Sequence, residues 1–364
     1  MTEWLFIELM QISVGTRDGL SRVPSVLEWE HVLEVSRRQA VVSVLSVGLE
    51  YLRGEYRPPK SVLYPWIDAT ETTRTRGEVM FRRCVALEKM FSEDGFDCCI
   101  LKGQGNALLY PNPLTRQSGD IDIWVRPKSG WSIKETVKYL SRKCGKENLH
   151  VVYHHTVFPV WDDVVVEVHW RPSWRSSPFF NRRMQRWFLE EADKQFHHYN
   201  KESGFHSPTW EFNAVYLLQH MYLHVLQEGL GVRQFVDYYY LLKSERRREI
   251  SKVVKDIKYL GLYDFACAVM YVLKKVFAIG DEFMIVPIDK KRGSFLLEEV
   301  HLAGNFGYFD KRNDKLHRQT GIRRSFSQLM RKGRFVRDYP EESLSGIFQI
   351  YHVIWRVLRL WQME

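Results

Sequence analysis

The sequence predicts an α+β fold in which a few short strands lie between two helical regions. Two strand signals occupy the middle of the chain. Cys98–Leu101 is an apolar run, and residues 120–125 alternate charged and apolar side chains with the period of a half-buried strand. On both sides of this segment, apolar residues recur every three or four positions, which is typical of amphipathic helices. These patterns divide the chain into a central α/β part and flanking helical parts.

The N-terminal helical region is assigned to residues 1–92. An amphipathic repeat extends from Trp29 to Leu49 and ends before Gly54 and Pro58. A second, more polar helix is predicted over residues 61–91. The prolines at positions 58 and 59 separate the two, because proline disfavours the continuation of a helix.

The α/β part is assigned to residues 93–175. Residues 102–105 (KGQG) form a glycine-containing turn after the first strand, and a weakly helical stretch follows. A helix is predicted over residues 131–143. Two apolar runs, residues 151–160 and 163–170, are joined by a short acidic turn, which indicates a hairpin.

Asp120 and Asp122 fall on the same face of the second strand, whereas Ile121 and Ile123 face the core. Two neighbouring carboxylates raise each other's pKa by repulsion, and strands usually avoid aspartate. A divalent cation such as Mg²⁺ removes the repulsion, because it binds hard oxygen ligands. The alternative for an isolated D-x-D is an exposed strand face with two solvated aspartates.

Glu167 is a third acidic candidate, because it interrupts an apolar strand in the same way, and His169 lies two residues further on the same face. His154 and His155 precede them on the other strand of the hairpin. Packed strand histidines are the simpler interpretation of this pair, and contact with metal or phosphate is the alternative. The turn at residues 102–105 offers backbone N–H groups that can bind a phosphate.

The glycine turn followed by Asp-Ile-Asp resembles the signature of the DNA polymerase β-like nucleotidyltransferase superfamily. More narrowly, the motifs LKG, LY, DIDIWV and VEVHW are similar to those of a bacterial family described only as uncharacterised nucleotidyltransferases. The similarity is strongest over residues 95–172 and implies a small mixed sheet with flanking helices. The sequence departs from the superfamily at Gln104, where a serine commonly contacts phosphate, and in the long spacing between Gly103 and Asp120.

The resemblance also implies roles for the candidate residues. The aspartates would bind Mg²⁺ (or Mn²⁺), and the third carboxylate would complete a second metal site or act as a base. The glycine turn would hold the triphosphate, and Arg116 would offset further charge. The implied catalytic and metal-binding residues are Asp120, Asp122 and Glu167, and the implied nucleotide-binding residues are Lys102, Gly103, Gln104, Arg116, Arg233 and Asp237.

The implied activity is transfer of a nucleoside monophosphate from an NTP to an acceptor hydroxyl, with release of pyrophosphate. The sequence does not identify the acceptor, and the candidates are a small molecule, a sugar, a protein or RNA. Two alternatives remain. The same carboxylates can serve a metal-dependent phosphodiesterase or nuclease, and the fold can serve a nucleotide-binding protein without turnover.

Residues 176–300 predict a C-terminal helical domain with one helix over residues 210–226. His220 and His224 are four residues apart on that helix, and we expect a packed or substrate-contacting pair, because no H-E-x-x-H motif accompanies them. A glycine-containing segment then leads into a helix with Arg233 and Asp237. The resemblance implies that Arg233 lies near phosphate. The alternative is an intrahelical ion pair with Asp237, worth about 0.3–0.5 kcal/mol.

The net charge of +9 favours a polyanionic partner. Residues 311–337 contain ten basic residues and one acid, which indicates either a solvated basic surface or contact with a polyanion or a membrane surface. Residues 301–364 end in an amphipathic helix near residues 347–361, which we expect to dock on the helical domain; the alternative is a position on a membrane surface beside the basic segment.

The composition also bounds the class of protein. An apolar content of 45% excludes a disordered chain. The five cysteines are unevenly spaced without a C-x-x-C pair, so we expect reduced thiols and neither disulfides nor a zinc site. The first residues lack the basic start of a secretory signal, and no apolar stretch approaches the roughly 20 residues of a membrane span, so we expect a cytoplasmic protein.

Overall fold

The computed structural model describes residues 3–147, 149–244, 249–313 and 321–345. Helices precede and follow a small sheet, as the sequence predicts. The helices before and within the α/β part are α1 (Glu3–Ser13), α2 (Val26–Arg38), α3 (Val42–Tyr51), α4 (Lys60–Glu93), α5 (Lys102–Ala107) and α6 (Ile133–Cys144). The later helices are α7 (Pro178–Phe196), α8 (Trp210–Gln227), α9 (Val232–Ser244), α10 (Ile250–Tyr259), α11 (Tyr263–Phe277), α12 (Lys290–Ala303), α13 (Gly321–Gly333) and α14 (Pro340–Leu344).

The sheet is mixed and has four strands in the order β1-β2-β4-β3. Strand β1 is antiparallel to β2, β2 is parallel to β4, and β3 is antiparallel to β4. The β3–β4 pair confirms the predicted hairpin, although its strands are shorter than the two apolar runs. The strands are β1 (Phe96–Ile100), β2 (Ile121–Pro127), β3 (His155–Val157), β4 (Val166–His169) and a separate pair, β5 (Tyr199–Asn200) with β6 (Phe205–His206).

The two faces of the sheet contribute to different hydrophobic clusters. Ile121 and Ile123 are buried on one face together with Phe91 of α4 and Leu140 of α6. Trp124 faces the other way and packs against aromatic rings of α7 and α8. Because successive strand residues point to opposite faces, β2 contributes to both clusters and leaves Asp122 on the helical side.

The helices before and after the sheet share the second cluster, which includes Leu5 of α1, Leu45 of α3 and Phe277 of α11. The predicted repeat from Trp29 to Leu49 is not one helix. It divides into α2 and α3, because Ala40 takes a left-handed φ of 57° that a continuous helix cannot contain.

Part of the basic segment is internal, which corrects the expectation of a uniformly solvated basic surface. Arg331 is buried against α8 and donates to the carbonyl of Val225 at 3.2 and 2.9 Å. Lys332 is also buried, and its Nζ donates to Ser176 Oγ at 2.8 Å. Each cation thereby gains a local acceptor when α13 packs. Lys315, Arg318 and the predicted helix at residues 347–361 lie outside the described residues.

None of the described helices is long and apolar enough to cross a membrane.

Candidate active site

A cavity of about 730 Å³ lies between the helical side of the sheet and helices α8 and α9. Residues from the loop before β2, from β4 and from the start of α9 converge on it, although they are far apart in the sequence. Among the residues that line this cavity are Lys102, Gly103, Arg116, Asp120, Asp122, Glu167, Arg233 and Asp237.

Asp122 and Glu167 are direct neighbours on the parallel strands β2 and β4. Such neighbours lie about 4.8 Å apart and project from the same face, so the two carboxylates enter the cavity side by side. Asp122 is almost fully buried, whereas the Glu167 side chain keeps 23% of its exposure. Ile121 and Ile123 are buried on the opposite face, which confirms the alternation predicted for this strand.

His169 connects the two acids. Its Nε2 lies 2.9 Å from Asp122 Oδ1 and 3.4 Å from Glu167 Oε2. One potential ligand atom from each of these three residues lies within 4.8 Å of the other two. The sequence places His169 on this strand face, but nothing in the sequence gives it a partner, because β2 and β4 are distant along the chain.

Asp120 lies in the loop directly before β2 and lines the same cavity. In the part of the chain that the structure describes, its carboxylate is not in the group formed by Asp122, Glu167 and His169. The negative charge of Asp122, together with burial, raises the pKa of Asp120. The repulsion expected between the two aspartates is therefore present.

The glycine turn brings a cation to these acids. Lys102 begins α5, and its Nζ lies 2.9 Å from Asp122 Oδ1. Both Lys102 and Gly103 have positive φ, 28° and 46° respectively. Such a conformation is strained for lysine and easy for glycine, so the turn holds the ammonium group in place at some cost in backbone energy.

A family model described as "uncharacterised nucleotidyltransferase" matches residues 25–278. The chain belongs to this family. The match extends over the α/β part and most of the helices around the cavity, and it agrees with the resemblance carried by the central motifs. No curated protein and no solved structure matches the chain.

In this nucleotidyltransferase-family chain, the two paired acids are ionised despite their surroundings. Burial opposes ionisation of Asp122, but the charge of Lys102 and a hydrogen bond from His169 lower its pKa well below the ordinary value. Burial likewise opposes ionisation of Glu167, whose pKa is lowered by its hydrogen bond with His169. Burial disfavours the imidazolium, yet the two carboxylates raise the pKa of His169 to about 9.

Arg116 and Asp237 form a buried ion pair rather than two separate ligands for phosphate. Arg116 Nε and Nη2 each lie 2.8 Å from an oxygen of Asp237. Tyr110 Oη donates to the same carboxylate at 2.6 Å. Asp237 therefore pairs with Arg116, and the intrahelical ion pair with Arg233 considered from the sequence does not form. Arg116 Nη1 is buried without a hydrogen-bond partner.

Arg233 is a buried cation at the cavity wall. Its Nη1 donates to the carbonyl of Gln117 at 2.8 Å, and its Nε is buried without a hydrogen-bond partner. Burial and the nearby charge of Arg116 lower the pKa of Arg233 to about 10. An arginine in this state favours an anion as a partner.

Gln104 is not among the residues that line the cavity. Its Nε2 donates to Ser118 Oγ at 3.0 Å, so it ties the glycine turn to the loop before Asp120. His220 and His224 do line the cavity, with ring centroids 4.3 Å apart. This geometry agrees with the expected packed or substrate-contacting pair.

Proposed function

We propose that the protein transfers a nucleoside monophosphate from an NTP to an acceptor hydroxyl with the help of a bound divalent cation. The observation that carries this proposal is the registered pair of Asp122 and Glu167, which presents two ionised carboxylates to a cavity. The glycine turn at Lys102 and Gly103 lies beside them. The family match supports the same reaction class.

The donor set fits a divalent cation. Asp122 and Glu167 supply carboxylate oxygens, and Asp120 lies in the adjoining loop with a pKa that the neighbouring charge of Asp122 raises. A cation at this place relieves that repulsion, and oxygen ligands suit Mg²⁺ or Mn²⁺. When bound, such an ion neutralises phosphate charge and stabilises the leaving pyrophosphate.

The cations of the cavity would bind the triphosphate. Arg233 offers an unpartnered Nε, and Arg116 offers an unpartnered Nη1. The Lys102 ammonium lies 2.9 Å from Asp122 Oδ1, and it can move to a phosphate oxygen once a divalent cation binds Asp122. The backbone of Gly103 can approach the phosphates closely, because glycine has no Cβ.

The proposed transfer is a single displacement at the α-phosphorus of the NTP. The oxygen of the acceptor hydroxyl bonds to the α-phosphorus, and the bond from this phosphorus to the bridging oxygen of the β-phosphate breaks. Pyrophosphate leaves with that electron pair. Glu167, whose side chain is partly exposed in the cavity, is placed to take the hydroxyl proton or to serve as a ligand to the cation.

The test is incubation of the full-length protein with each α-labelled NTP and Mg²⁺ or Mn²⁺, together with a cell extract fractionated into small molecules, RNA and protein. We expect pyrophosphate release and label on one fraction. Asp122→Asn and Glu167→Gln should each reduce the rate by at least about 10²-fold. Asp162→Asn is the matched control, because Asp162 is an exposed acid in the turn of the same hairpin.

The outcomes separate the candidate activities. Labelled monophosphate without a labelled acceptor would identify a phosphodiesterase. NTP binding without any turnover in every fraction would leave a nucleotide-binding protein. Either result overturns the transfer reaction. An Asp122→Asn variant that keeps the wild-type transfer rate would instead show that the acid pair is not the catalytic site.

A further inference from the structure

Two histidines lie against the proposed catalytic acids. His155 of β3 is the registered partner of His169 on β4, so the two imidazoles are cross-strand neighbours, with ring centroids 4.9 Å apart. His155 Nε2 lies 3.6 Å from Glu167 Oε1. His169 Nε2 lies 2.9 Å from Asp122 Oδ1 and 3.4 Å from Glu167 Oε2.

These contacts are set by the backbone. Strand pairing puts His155 opposite His169 and Asp122 opposite Glu167, so the four residues start from neighbouring backbone positions on three adjacent strands. His155 Nδ1 is buried and has no hydrogen-bond partner. A buried, unpaired ring nitrogen costs free energy, and a strand-held pair of imidazoles beside two carboxylates is an unusual arrangement for packing alone.

The chemistry of the donors narrows the class of cation. Mg²⁺ requires hard oxygen ligands in near-ideal octahedral geometry, whereas imidazole nitrogen suits first-row transition metals. Mn²⁺ accepts carboxylate oxygens and follows the affinity order of the transition series. A set of two carboxylates and one or two imidazoles therefore favours a first-row transition-metal ion over Mg²⁺.

We propose that His169 is a direct ligand of the catalytic cation, with His155 beside it, and that the site is a mixed nitrogen and oxygen centre that prefers a first-row transition-metal ion to Mg²⁺. This inference rests on the proposed function for the location of the cation, but it does not depend on the acceptor or on turnover. On binding the cation, the His169 imidazole would release its ring proton and join Asp122 and Glu167 in the binding set.

The test uses Mn²⁺ and the full-length protein without nucleotide. Pulsed electron paramagnetic resonance of the bound ion should show the nitrogen hyperfine coupling of a coordinated imidazole. His169→Gln should remove the main coupling and weaken Mn²⁺ binding by about tenfold or more, while Mg²⁺ binding changes less. His155→Gln should alter the coupling without abolishing it. His150→Gln, an exposed histidine of the same region, is the matched control.

Circular dichroism and thermal unfolding check that each variant is folded, and an unfolded His169→Gln is replaced by His169→Asn. A bound Mn²⁺ ion without imidazole coupling overturns the inference, and so does an equal loss of Mg²⁺ and Mn²⁺ affinity in the His169 variant. Transfer activity with Mg²⁺ in either of those cases would leave the proposed function standing. No binding of either ion to the wild-type protein would reject both.

Discussion

The guanidinium of Arg116 and the carboxylate of Asp237 form two parallel hydrogen bonds, each 2.8 Å long, although the residues are 121 positions apart. Both side chains are buried. The pair connects the loop before β2 to helix α9, which carries Arg233. It therefore fixes the distance between the acids and the proposed phosphate-binding cation.

We expect Arg116→Ala to lower the free energy of unfolding by about 3–5 kcal/mol, because it leaves the Asp237 carboxylate buried without its countercharge. Urea unfolding followed by circular dichroism measures this change. Arg74→Ala is the control, since Arg74 forms exposed ion pairs on α4 that are worth at most about 1 kcal/mol. Equal losses in the two variants would contradict a structural role for the buried pair.

A double variant tests whether the Arg116 and Asp237 side chains stabilise each other. Arg116→Leu with Asp237→Leu removes both charges, so we expect it to be more stable than either single variant. The single and double variants are compared by the same urea titration. A double variant whose loss equals the sum of the single losses would show that the two side chains do not interact.

Local sequence patterns were sufficient to predict much of the central sheet. The alternation at residues 120–125 predicts β2 and the opposite directions of Ile121 and Asp122, because strand periodicity is a property of the backbone alone. The apolar runs around the turn at Asp162 predict the β3–β4 hairpin for the same reason. The family motifs place Glu167 beside the aspartates, and the register of β2 with β4 agrees with that expectation.

Contacts between distant segments could not be predicted. Lys102 and Asp122 meet because β1 and β2 are adjacent, and sequence spacing gives no such distance. The pairing of Asp237 with Arg116 replaces an apparent i, i+4 pair with Arg233, since the Arg116 guanidinium makes a bidentate contact with the carboxylate. Ala40 breaks a continuous apolar pattern, and its left-handed φ has no signature in the residue type.

Replacement of Lys102 should have opposite effects on two measurements. The Lys102 ammonium lies on the Asp122 oxygen that a divalent cation would bind, so Lys102→Met should raise Mn²⁺ affinity roughly tenfold, the scale of a neighbouring charge on an ionic equilibrium. Transfer should fall about 10²-fold, because a cation that meets the phosphates is lost. Calorimetric titration with Mn²⁺ measures the change in affinity, and the assay with labelled NTP measures the change in transfer rate.

The control is Lys128→Met, which replaces an exposed lysine. Weaker Mn²⁺ binding in Lys102→Met would reject the competition between lysine and metal.

Replacement of Arg233 should weaken nucleotide binding without lowering the free energy of unfolding. Its pKa is lowered to about 10 by burial and by Arg116, so the charge is not well compensated in the ligand-free protein. Arg233→Met should leave the free energy of unfolding unchanged or higher, because a buried cation is replaced by an apolar side chain of similar volume. Affinity for a non-hydrolysable NTP analogue should fall about 10- to 100-fold, which corresponds to the loss of a hydrogen bond to a charged group.

Urea unfolding measures the stability of the Arg233 variant, and calorimetry measures its nucleotide affinity. The control is Arg82→Met, because Arg82 is exposed. Unchanged nucleotide affinity would remove Arg233 from the phosphate site.

Glu342 makes the stability of the C-terminal region depend on pH. Its Oε2 lies 3.0 Å from Arg175 Nε, and its Oε1 accepts a hydrogen bond from the backbone N–H of Ser176. Burial opposes ionisation, but the charges of Arg175 and Lys332 lower the pKa of Glu342 below its ordinary value. A carboxyl group with a lower pKa in the folded state stabilises the protein fully above its unfolded pKa, about 4.3, and this contribution is lost as the pH falls through the folded value.

Glu342→Gln should therefore cost about 3 kcal/mol of unfolding free energy at pH 7, and the difference from the wild type should shrink as the solution is acidified below pH 4. Urea unfolding at a series of pH values measures the difference directly, which removes the contribution of the other acids. Glu341→Gln changes an exposed neighbour and should show almost no difference at any pH. If the gap between Glu342→Gln and the wild type stayed constant down to pH 3, the ionised carboxylate would not be the stabilising group, and packing of α14 against the loop at Arg175 would have to depend on the shape of the side chain alone.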